Sequence, residues 1–205
     1  MKSNKKQVGK RDIEFLFEIG SLRFTQRTWK RFLNPDVENL TEHHFRVCWI
    51  ALLIAKHENI KNTEKILKMA LVHDLAESRT GDADYLSRQY VVRNEKLGIE
   101  DIFSDTVLQN EFVTLWSEYE KKETIEAKII KDADNLAVDF EIREQESKGN
   151  RIGEGGGWKE IRRYIASEKL YTKTAKAIWK SLHTANPHDW HYKGRNRRNQ
   201  GDWRK

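Results

Sequence analysis

The chain has 205 residues, of which 38% are hydrophobic and 34% are charged, and this length suffices for one domain with a sizeable core. Its single cysteine, Cys48, excludes an intramolecular disulfide and a cysteine-based zinc cluster. No run approaches the roughly 20 apolar residues of a membrane-spanning helix, and the basic start lacks the apolar stretch of a signal peptide, so we expect a cytoplasmic protein.

The positive charge is concentrated at the C-terminus. The net charge is +6, and residues 191–205 contain six lysines or arginines against one aspartate, a local charge of +5. A basic tail is most often a solvated end of the chain, and the binding of polyanions by this tail is the less favoured interpretation. We therefore expect one domain over residues 1–190 and a basic tail over residues 191–205.

The spacing of apolar residues predicts helices along the whole chain, and no alternating strand pattern appears. The predicted fold class is all-α, a single-domain helical bundle. Thr41 is a plausible N-cap of the second helix, and Asn62 or Thr63 of the third. The predicted helical stretches are, in chain order, 11–22, 41–58, 62–78, 82–98, 106–122, 124–146 and 157–185.

The glycine-rich segment "GNRIGEGGGWKE", residues 149–160, invites comparison with a phosphate-binding loop. It lacks the Gly-Lys-Ser/Thr ending of a P-loop and does not follow a predicted strand, so the structural context of that motif is missing. A flexible connection between two helices is the better interpretation.

Three predicted helices contribute residues that could bind a metal ion. The candidates are His43 or His44, His73 with Asp74, and Asp132 or Asp134. Imidazole and carboxylate ligands together suit a divalent ion such as Mg²⁺, Mn²⁺ or a transition metal. The alternative is a hydrogen-bonded core histidine at position 73 with the acids on the surface.

Helical periodicity separates the two late aspartates but not the two early histidines. Asp134 shares a stripe with apolar residues four before and three after it, Ile130 and Ala137. Asp132 aligns with polar residues, so we expect it to face solvent and its substitution to matter little. His43 and His44 both border apolar stripes, and the choice between them stays open at this point.

Glu77 follows His73 by four residues and is therefore predicted to lie one turn along the same helix face. From there it could reach a metal-bound water without being a ligand, the position of a general base or acid. The alternative is a surface glutamate paired with a neighbouring cation such as Arg79 or Lys68.

The combined motifs resemble the HD-domain phosphohydrolase superfamily. "ALVHDLAESRTGD", residues 70–82, is similar to the His-Asp-x-x-Glu-x-x-x-Gly-Asp signature of its 5′-deoxynucleotidase branch. "QRTWKRF" and "NLTEHHFRV" resemble the Arg-Trp segment and the Ser/Thr-Glu/Asp-His segment of that branch. "EYEKKETIEAKIIKDADNL" resembles its late helix with the last metal ligand. The match covers roughly residues 22–145.

The resemblance implies a role for each matching residue. It implies one divalent ion (Co, Mn, Mg, Zn or Fe) and favours His43 over His44, because His43 directly follows the Thr-Glu pair. It makes Glu77 the catalytic carboxylate, and it makes Asp82 the contact to the sugar hydroxyl. Arg27 and Trp29 correspond to the pair that lines the phosphate and nucleoside pocket. The implied metal ligands are His43, His73, Asp74 and Asp134.

Two departures from the family pattern affect the substrate pocket. The Arg-Trp pair is split by Thr28, and the hydrophobic residue and proline that commonly follow Gly-Asp are replaced by "ADYL". Lys131 and Arg93 are further candidates for phosphate contacts, although both also fit solvated helix faces.

The favoured activity is hydrolysis of a 5′-(deoxy)nucleoside monophosphate to nucleoside and phosphate by a homodimeric enzyme. A dNTP triphosphohydrolase or a phosphodiesterase with the same metal core is the rival enzyme. A non-catalytic nucleic-acid-binding module that uses the tail is the rival from another class, but it leaves the buried His-Asp pair unexplained.

Overall fold

The computed structural model describes residues 8–32, 36–151 and 156–192, and within these ranges helices are present and strands are not. The predicted all-α fold is thus confirmed. Residues 193–205 of the predicted tail and residues 152–155 of the glycine-rich loop lie outside the described ranges. The helices are α1 Lys10–Ser21, α2 Leu40–His57, α3 Thr63–Val72, α4 Glu77–Thr80, α5 Glu95–Phe103, α6 Gln109–Lys121, α7 Ile125–Ser147, α8 Gly156–Tyr164, α9 Lys173–Leu182 and α10 Asp189–Tyr192.

The centre of the bundle is formed by α2, α3 and α7, which pack against one another. Aliphatic side chains from these three helices are completely buried, and burying each one stabilises the fold by about 1.5–3 kcal/mol. Helices α6 and α9 pack against the outer sides of this centre. The fully buried aliphatic residues include Leu40, Val47, Ile54, Ile66, Met69, Ile129, Ile130 and Leu136.

Helix α2 begins two residues earlier than the Thr41 cap predicts. Its N-cap is Asn39, whose side chain accepts a hydrogen bond from the Glu42 amide at 3.1 Å. The Glu42 carboxylate in turn accepts from the Asn39 amide at 2.8 Å, and this reciprocal capping box outcompetes the threonine. At α3 the predicted cap Asn62 is confirmed by its bond from the Lys65 amide.

The predicted helix 62–78 ends at Val72, and the His-Asp pair lies in the tighter turns that follow. The amide of Leu75 bonds the carbonyl of Val72, and the amide of Glu77 bonds the carbonyl of Asp74, both with the i to i+3 spacing of a 3₁₀ turn. This spacing places residues three apart above one another. Asp74 and Glu77 therefore face the same side of the chain.

The predicted helix 82–98 is wrong in its first half. The carboxylate of Asp84 accepts hydrogen bonds from the amides of Leu86 and Ser87, at 2.8 and 2.9 Å, and this local pairing competes with a helix. Helix α5 starts only at Glu95, where the Asn94 side chain caps it. The catalytic candidates thus lie beside a loop.

The predicted stretch 157–185 is interrupted. Helix α8 ends at Tyr164, the π-helical segment Ile165–Lys169 follows, and α9 starts at Lys173. The break is stabilised by Asp132 of α7, whose carboxylate accepts from the amides of Tyr171 and Thr172 and from the Thr172 hydroxyl.

The expectation that Asp132 faces solvent is therefore wrong, because its side chain is completely buried. Asp139, which shares its polar stripe, is also buried and bonds Arg162 of α8. The polar stripe of α7 faces α8 and α9 rather than water. The periodic pattern does not reveal this burial, because the partners of Asp132 and Asp139 come from much later in the chain.

Among the residues that the structure describes, no helix combines the length and the apolar character needed to cross a membrane.

Candidate metal centre and active site

Four of the predicted site residues converge at one point in the bundle. His43 comes from α2, His73 and Asp74 from the turns after α3, and Asp134 from α7. One potential ligand atom from each lies within 4.8 Å of every other. The three-helix packing at the centre of the fold thus gathers a group that could hold a metal ion.

Both imidazoles are oriented by hydrogen bonds on the side away from this point. His73 Nδ1 lies 2.7 Å from the Ala70 carbonyl, and His43 Nδ1 lies 3.1 Å from the Glu38 carboxylate. In the neutral form of each ring, Nδ1 is then the protonated nitrogen, and Nε2 presents its lone pair to the cluster. This is the usual arrangement of metal-binding histidines.

The inner nitrogens lack hydrogen-bond partners in the described residues. His43 Nε2 and His73 Nε2 are buried without one, although His43 Nε2 lies 3.2 Å from Asp134 Oδ1. Buried polar atoms normally find a partner. Two orphaned imidazole nitrogens facing two carboxylates fit a divalent cation.

Electrostatics within the cluster favours a cation as well. Burial and the Arg27 charge lower the pKa of His43, but the carboxylates of Asp134 and Glu38 outweigh them and raise it to about 9. In the absence of a metal the cluster therefore keeps a proton on His43. Burial lowers the pKa of His73.

His44 is buried next to this cluster without being part of it. Its ring lies 4.6 Å from the His73 ring, and its Nε2 is buried without a hydrogen-bond partner. Burial and the neighbouring His73 hold the pKa of His44 well below the ordinary value, so it is a neutral packing residue. Periodicity left the choice between His43 and His44 open. In the structure His43, and not His44, belongs to the group of potential metal ligands.

Arg27 is buried among carboxylates that it does not fully satisfy. Its Nη1 lies 3.8 Å from Asp74 Oδ2 and 3.9 Å from Glu77 Oε2, and its Nε lies 3.8 Å from Asp82 Oδ2. These distances exceed a hydrogen bond, and Nε has no partner in the described residues. A guanidinium with unused donors can bind an additional anion such as a phosphate.

Glu77 lies beside the cluster and is anchored by one oxygen only. Its Oε1 accepts a bond from Arg93 at 2.9 Å, whereas its Oε2 is buried without a hydrogen-bond partner. Burial and the charges of Asp74 and Asp82 raise the pKa of Glu77 to about 9. The free oxygen is thus a proton-accepting or proton-donating group next to the predicted ligands.

Asp82 fixes the segment that carries the arginine. Its Oδ2 accepts from the Thr28 amide at 2.7 Å and from the Thr28 hydroxyl at 3.0 Å. Gly81 precedes it with a φ of +75°, a left-handed conformation that glycine adopts without strain. The residue that splits the Arg-Trp pair, Thr28, therefore has a structural role.

Trp29 lies in an aromatic cluster at the edge of this site. Its ring centroid is 4.6 Å from that of Trp158 in an edge-to-face contact and 5.9 Å from that of Tyr85. The indole is half-buried, so part of its surface is open to a ligand.

Two cations that the sequence suggested as phosphate contacts have partners within the protein. Lys131 donates to Asp134 Oδ2 at 2.7 Å. Arg93 bonds Glu77 and also pairs with Glu95. Both residues orient carboxylates of the site.

Sequence reasoning missed Glu38, the acceptor for His43 Nδ1. It lies in the non-helical segment before α2 and is itself 3.3 Å from the Arg46 guanidinium. Neither a periodic pattern nor a motif identifies a residue in such a segment. The one sequence feature that could have suggested Glu38 as a partner of His43 is its position, five residues before that histidine.

The class of protein that this structure indicates is a helical bundle with two histidines and two aspartates at one point that could hold a metal ion. The sequence matches the family model of the HD domain over residues 19–179. The chain belongs to the HD domain family.

Individual relatives and solved structures agree with this assignment. The chain is 34% identical over 147 residues to the 5′-deoxynucleotidase HDDC2 of Danio rerio, an alignment that covers 69% of this chain and 72% of the relative. It is 29% identical to the 5′-deoxynucleotidase hdd1 of Schizosaccharomyces pombe, with coverages of 77% and 81%. A conserved hypothetical protein from Pyrococcus furiosus superimposes with a TM-score of 0.67 at 25% identity, over 84% of this chain and 99% of that one.

Proposed function

We propose that this protein hydrolyses 5′-deoxynucleoside monophosphates to nucleoside and phosphate with the help of one divalent metal ion. The observation that carries the proposal is the convergence of His43, His73, Asp74 and Asp134, with Glu77 and Arg27 directly beside them. The names of the relatives from Danio rerio and Schizosaccharomyces pombe support the same activity.

In this proposal the two imidazole Nε2 atoms and the carboxylates of Asp74 and Asp134 hold the metal. When bound, a divalent cation acts as a Lewis acid that makes water a better nucleophile near neutral pH. The mixed nitrogen and oxygen donors suit Mn²⁺, Co²⁺, Fe²⁺ or Zn²⁺. Mg²⁺ is the fifth ion that the sequence resemblance implies as a candidate.

The protein side chains bind the substrate and move the proton. Arg27 binds the phosphate through its unused donors, and the open surface of Trp29 packs against the nucleoside. The pKa of Glu77 would be lowered by a bound divalent cation, so that its Oε2 accepts the proton of the attacking water as the new O–P bond forms. Glu77 then passes this proton to the 5′ oxygen as the bond from phosphorus to that oxygen breaks, which releases the neutral nucleoside. Arg93 keeps the Glu77 carboxylate oriented by its bond to the other oxygen. Asp82, whose Oδ2 is engaged by Thr28, contacts the sugar hydroxyl through its other oxygen.

A monophosphate fits the cationic groups of this site better than a triphosphate. Among the cations of this site that the structure describes, Arg27 is buried and has unused donors. Lys131 and Arg93 are paired with Asp134 and Glu77. A triphosphate carries more negative charge than a monophosphate, and Arg27 together with one divalent ion matches the smaller charge better.

The test is phosphate release from a panel of nucleoside mono-, di- and triphosphates. The protein is first stripped with a chelator and then supplied with Mn²⁺, Co²⁺, Fe²⁺, Zn²⁺ or Mg²⁺, and Asp74→Asn serves as the matched metal-site variant. We expect phosphate from the monophosphates only, in a metal-dependent manner, and none from the variant. Release of tripolyphosphate from a dNTP would assign the rival activity, and nucleic-acid binding without any hydrolysis would assign the non-catalytic one.

We also propose that the protein acts in the cytoplasm as a homodimer, with residues 1–190 as the catalytic domain and 191–205 as a tail that hydrolysis does not require. Helix α2 supports self-association, because it exposes Phe45, Trp49 and Leu53 at spacings of four residues. Sedimentation of the Trp49→Glu variant tests this face. A wild-type monomer would contradict the proposal.

A further inference from the structure

A second cleft lies beside α7. It is bounded by α7, α8 and α9 and has a volume of about 580 Å³, within the range of small-molecule sites. No residue of the proposed metal centre lines it. Its lining includes Arg143, Trp158, Lys159, Arg163, Trp179 and Lys180.

Two cations in this cleft neutralise its two acids. Arg162 donates to both carboxylate oxygens of Asp139, at 2.7 and 2.5 Å, and is buried. Arg143 donates to Glu146 at 3.1 Å. The acidic side chains of the lining are therefore occupied.

Three further cations of the lining remain without an acidic partner. Lys159 and Arg163 of α8 and Lys180 of α9 make neither a salt bridge nor a side-chain hydrogen bond to any residue that the structure describes. Three like charges converging on one concave surface repel each other and create a positive potential. An anion carrying two or more charges would relieve this repulsion.

The same cleft offers two indole rings. Trp158 and Trp179 are both half-buried, and their N–H groups find no acceptor among the described residues, so no hydrogen bond fixes either ring. The Trp179 ring packs edge-to-face on His183, with centroids 4.2 Å apart. An aromatic ligand could stack on such a surface.

We propose that this cleft binds a nucleotide with two or more phosphate groups. Lys159, Arg163 and Lys180 bind the phosphates, and Trp179 stacks on the base. An acidic peptide would match the charge but would not use the two indole rings of the lining. The proposal concerns a site separate from the one proposed for hydrolysis, and it does not depend on that activity.

Trp158 connects the cleft to the aromatic cluster of the first site. Together with Ile142 it lines both the cleft and a small cavity of about 10 Å³ beside Arg27 and Trp29. Its ring contacts that of Trp29 at 4.6 Å. A nucleotide in the cleft therefore lies one side chain away from the proposed nucleoside contact.

The experiment is isothermal titration of the full chain with the β,γ-imido analogue of ATP, and separately with pyrophosphate. The test variant is Lys159→Ala/Arg163→Ala/Lys180→Ala. The matched control, Lys56→Ala/Lys61→Ala/Lys121→Ala, removes three other exposed cations that have no acidic partner among the described residues. The substitutions in both triple variants fall on exposed positions, and circular dichroism checks the fold of every variant.

We expect the test variant to bind the analogue at least tenfold more weakly, while the control and Arg27→Ala bind it within twofold of the wild type. Trp179→Leu should lower the affinity for the analogue by roughly tenfold, a typical loss for one stacked base. The same variant should bind pyrophosphate as the wild type does.

Several results would overturn the inference. Loss of binding in Arg27→Ala with retention in the test variant would assign the analogue to the first site. Equal losses in the test variant and the control would mean unspecific attraction by net charge. Equal affinity for pyrophosphate and the analogue would mean a site for anions only, and tighter binding of a single-stranded oligonucleotide would point to a nucleic-acid surface.

Discussion

Asp132 and Asp134 lie two positions apart on α7, and we predict that their substitutions have opposite consequences. The buried Asp132 carboxylate accepts three hydrogen bonds, at 2.7, 2.8 and 2.7 Å, from Tyr171 and Thr172. The Thr172 hydroxyl also caps α9 through the Ala175 amide. Asp132→Ala therefore leaves the start of α9 without its acceptor.

The size of this effect follows from these bonds. Hydrogen bonds to a charged group contribute about 1.5–3 kcal/mol each, and donors left buried without a partner add to the loss. Burial raises the pKa of Asp132, because desolvation disfavours its charged form. This desolvation offsets part of the stabilisation that the three hydrogen bonds provide. We expect the free energy of unfolding to fall by about 3 kcal/mol, a large fraction of the roughly 5–15 kcal/mol of a typical domain.

The assay combines urea unfolding, followed by circular dichroism, with metal analysis of the folded protein. Asp132→Ala should unfold at lower urea yet keep its metal, and Asp134→Ala should lose the metal. Asp101→Ala, an exposed acid, is the control and should change stability by less than about 0.5 kcal/mol. Loss of metal from folded Asp132→Ala, with retention in Asp134→Ala, would refute the assignment of the two acids. An unchanged unfolding midpoint for Asp132→Ala would refute the energetic argument.

Three further predictions concern the proposed hydrolysis. Glu77→Gln keeps the bond from Arg93 but cannot accept a proton, so metal content should be unchanged while kcat falls by about 10²–10⁴-fold; full activity would remove Glu77 from the mechanism. Trp29→Ala should raise KM with little change in kcat, because the ring is proposed to contact the nucleoside and not the reacting phosphorus. Steady-state kinetics measures both constants, and a fall in kcat at unchanged KM would contradict this role. Removing the metal with a chelator should lower both the activity and the Tm, and added Mn²⁺ should restore them, because a ligand that binds only the native state stabilises it. If calorimetry gave the same Tm with and without the chelator, the metal site would be contradicted.

The sequence predicted those parts of the site that depend on local spacing. The apolar stripe through Ile130 and Ala137 assigned Asp134 to the interior, and the structure brings it to the cluster. The His-Asp pair and Glu77 were also found, although the chain between them forms 3₁₀ turns instead of a continuous helix. The periodic pattern identifies these residues correctly because residues three or four positions apart lie on the same helix face and are buried together.

Partners from distant parts of the chain could not be predicted in the same way. Asp132 looked solvated because its hydrogen-bond donors, on Tyr171 and Thr172, follow it by about forty residues. For Arg93 the sequence suggested a solvated helix face or a phosphate contact, because it does not indicate that Arg93 bonds Glu77. In both cases a charged residue was assigned to water or to substrate when its partner was another charged or polar group of the protein.

The same limitation explains why the second cleft has no counterpart in the sequence patterns. Lys159 and Arg163 belong to a strongly basic helix that resembles an ordinary solvated surface when considered alone. Their significance arises from the packing of α8 on α7, which the buried pair of Arg162 and Asp139 stabilises. That pair uses one arginine to neutralise an acid and so leaves the neighbouring cations of α8 unopposed. Because the partner acid is provided by α7, the charge of the cleft is a property of the tertiary fold and not of either helix.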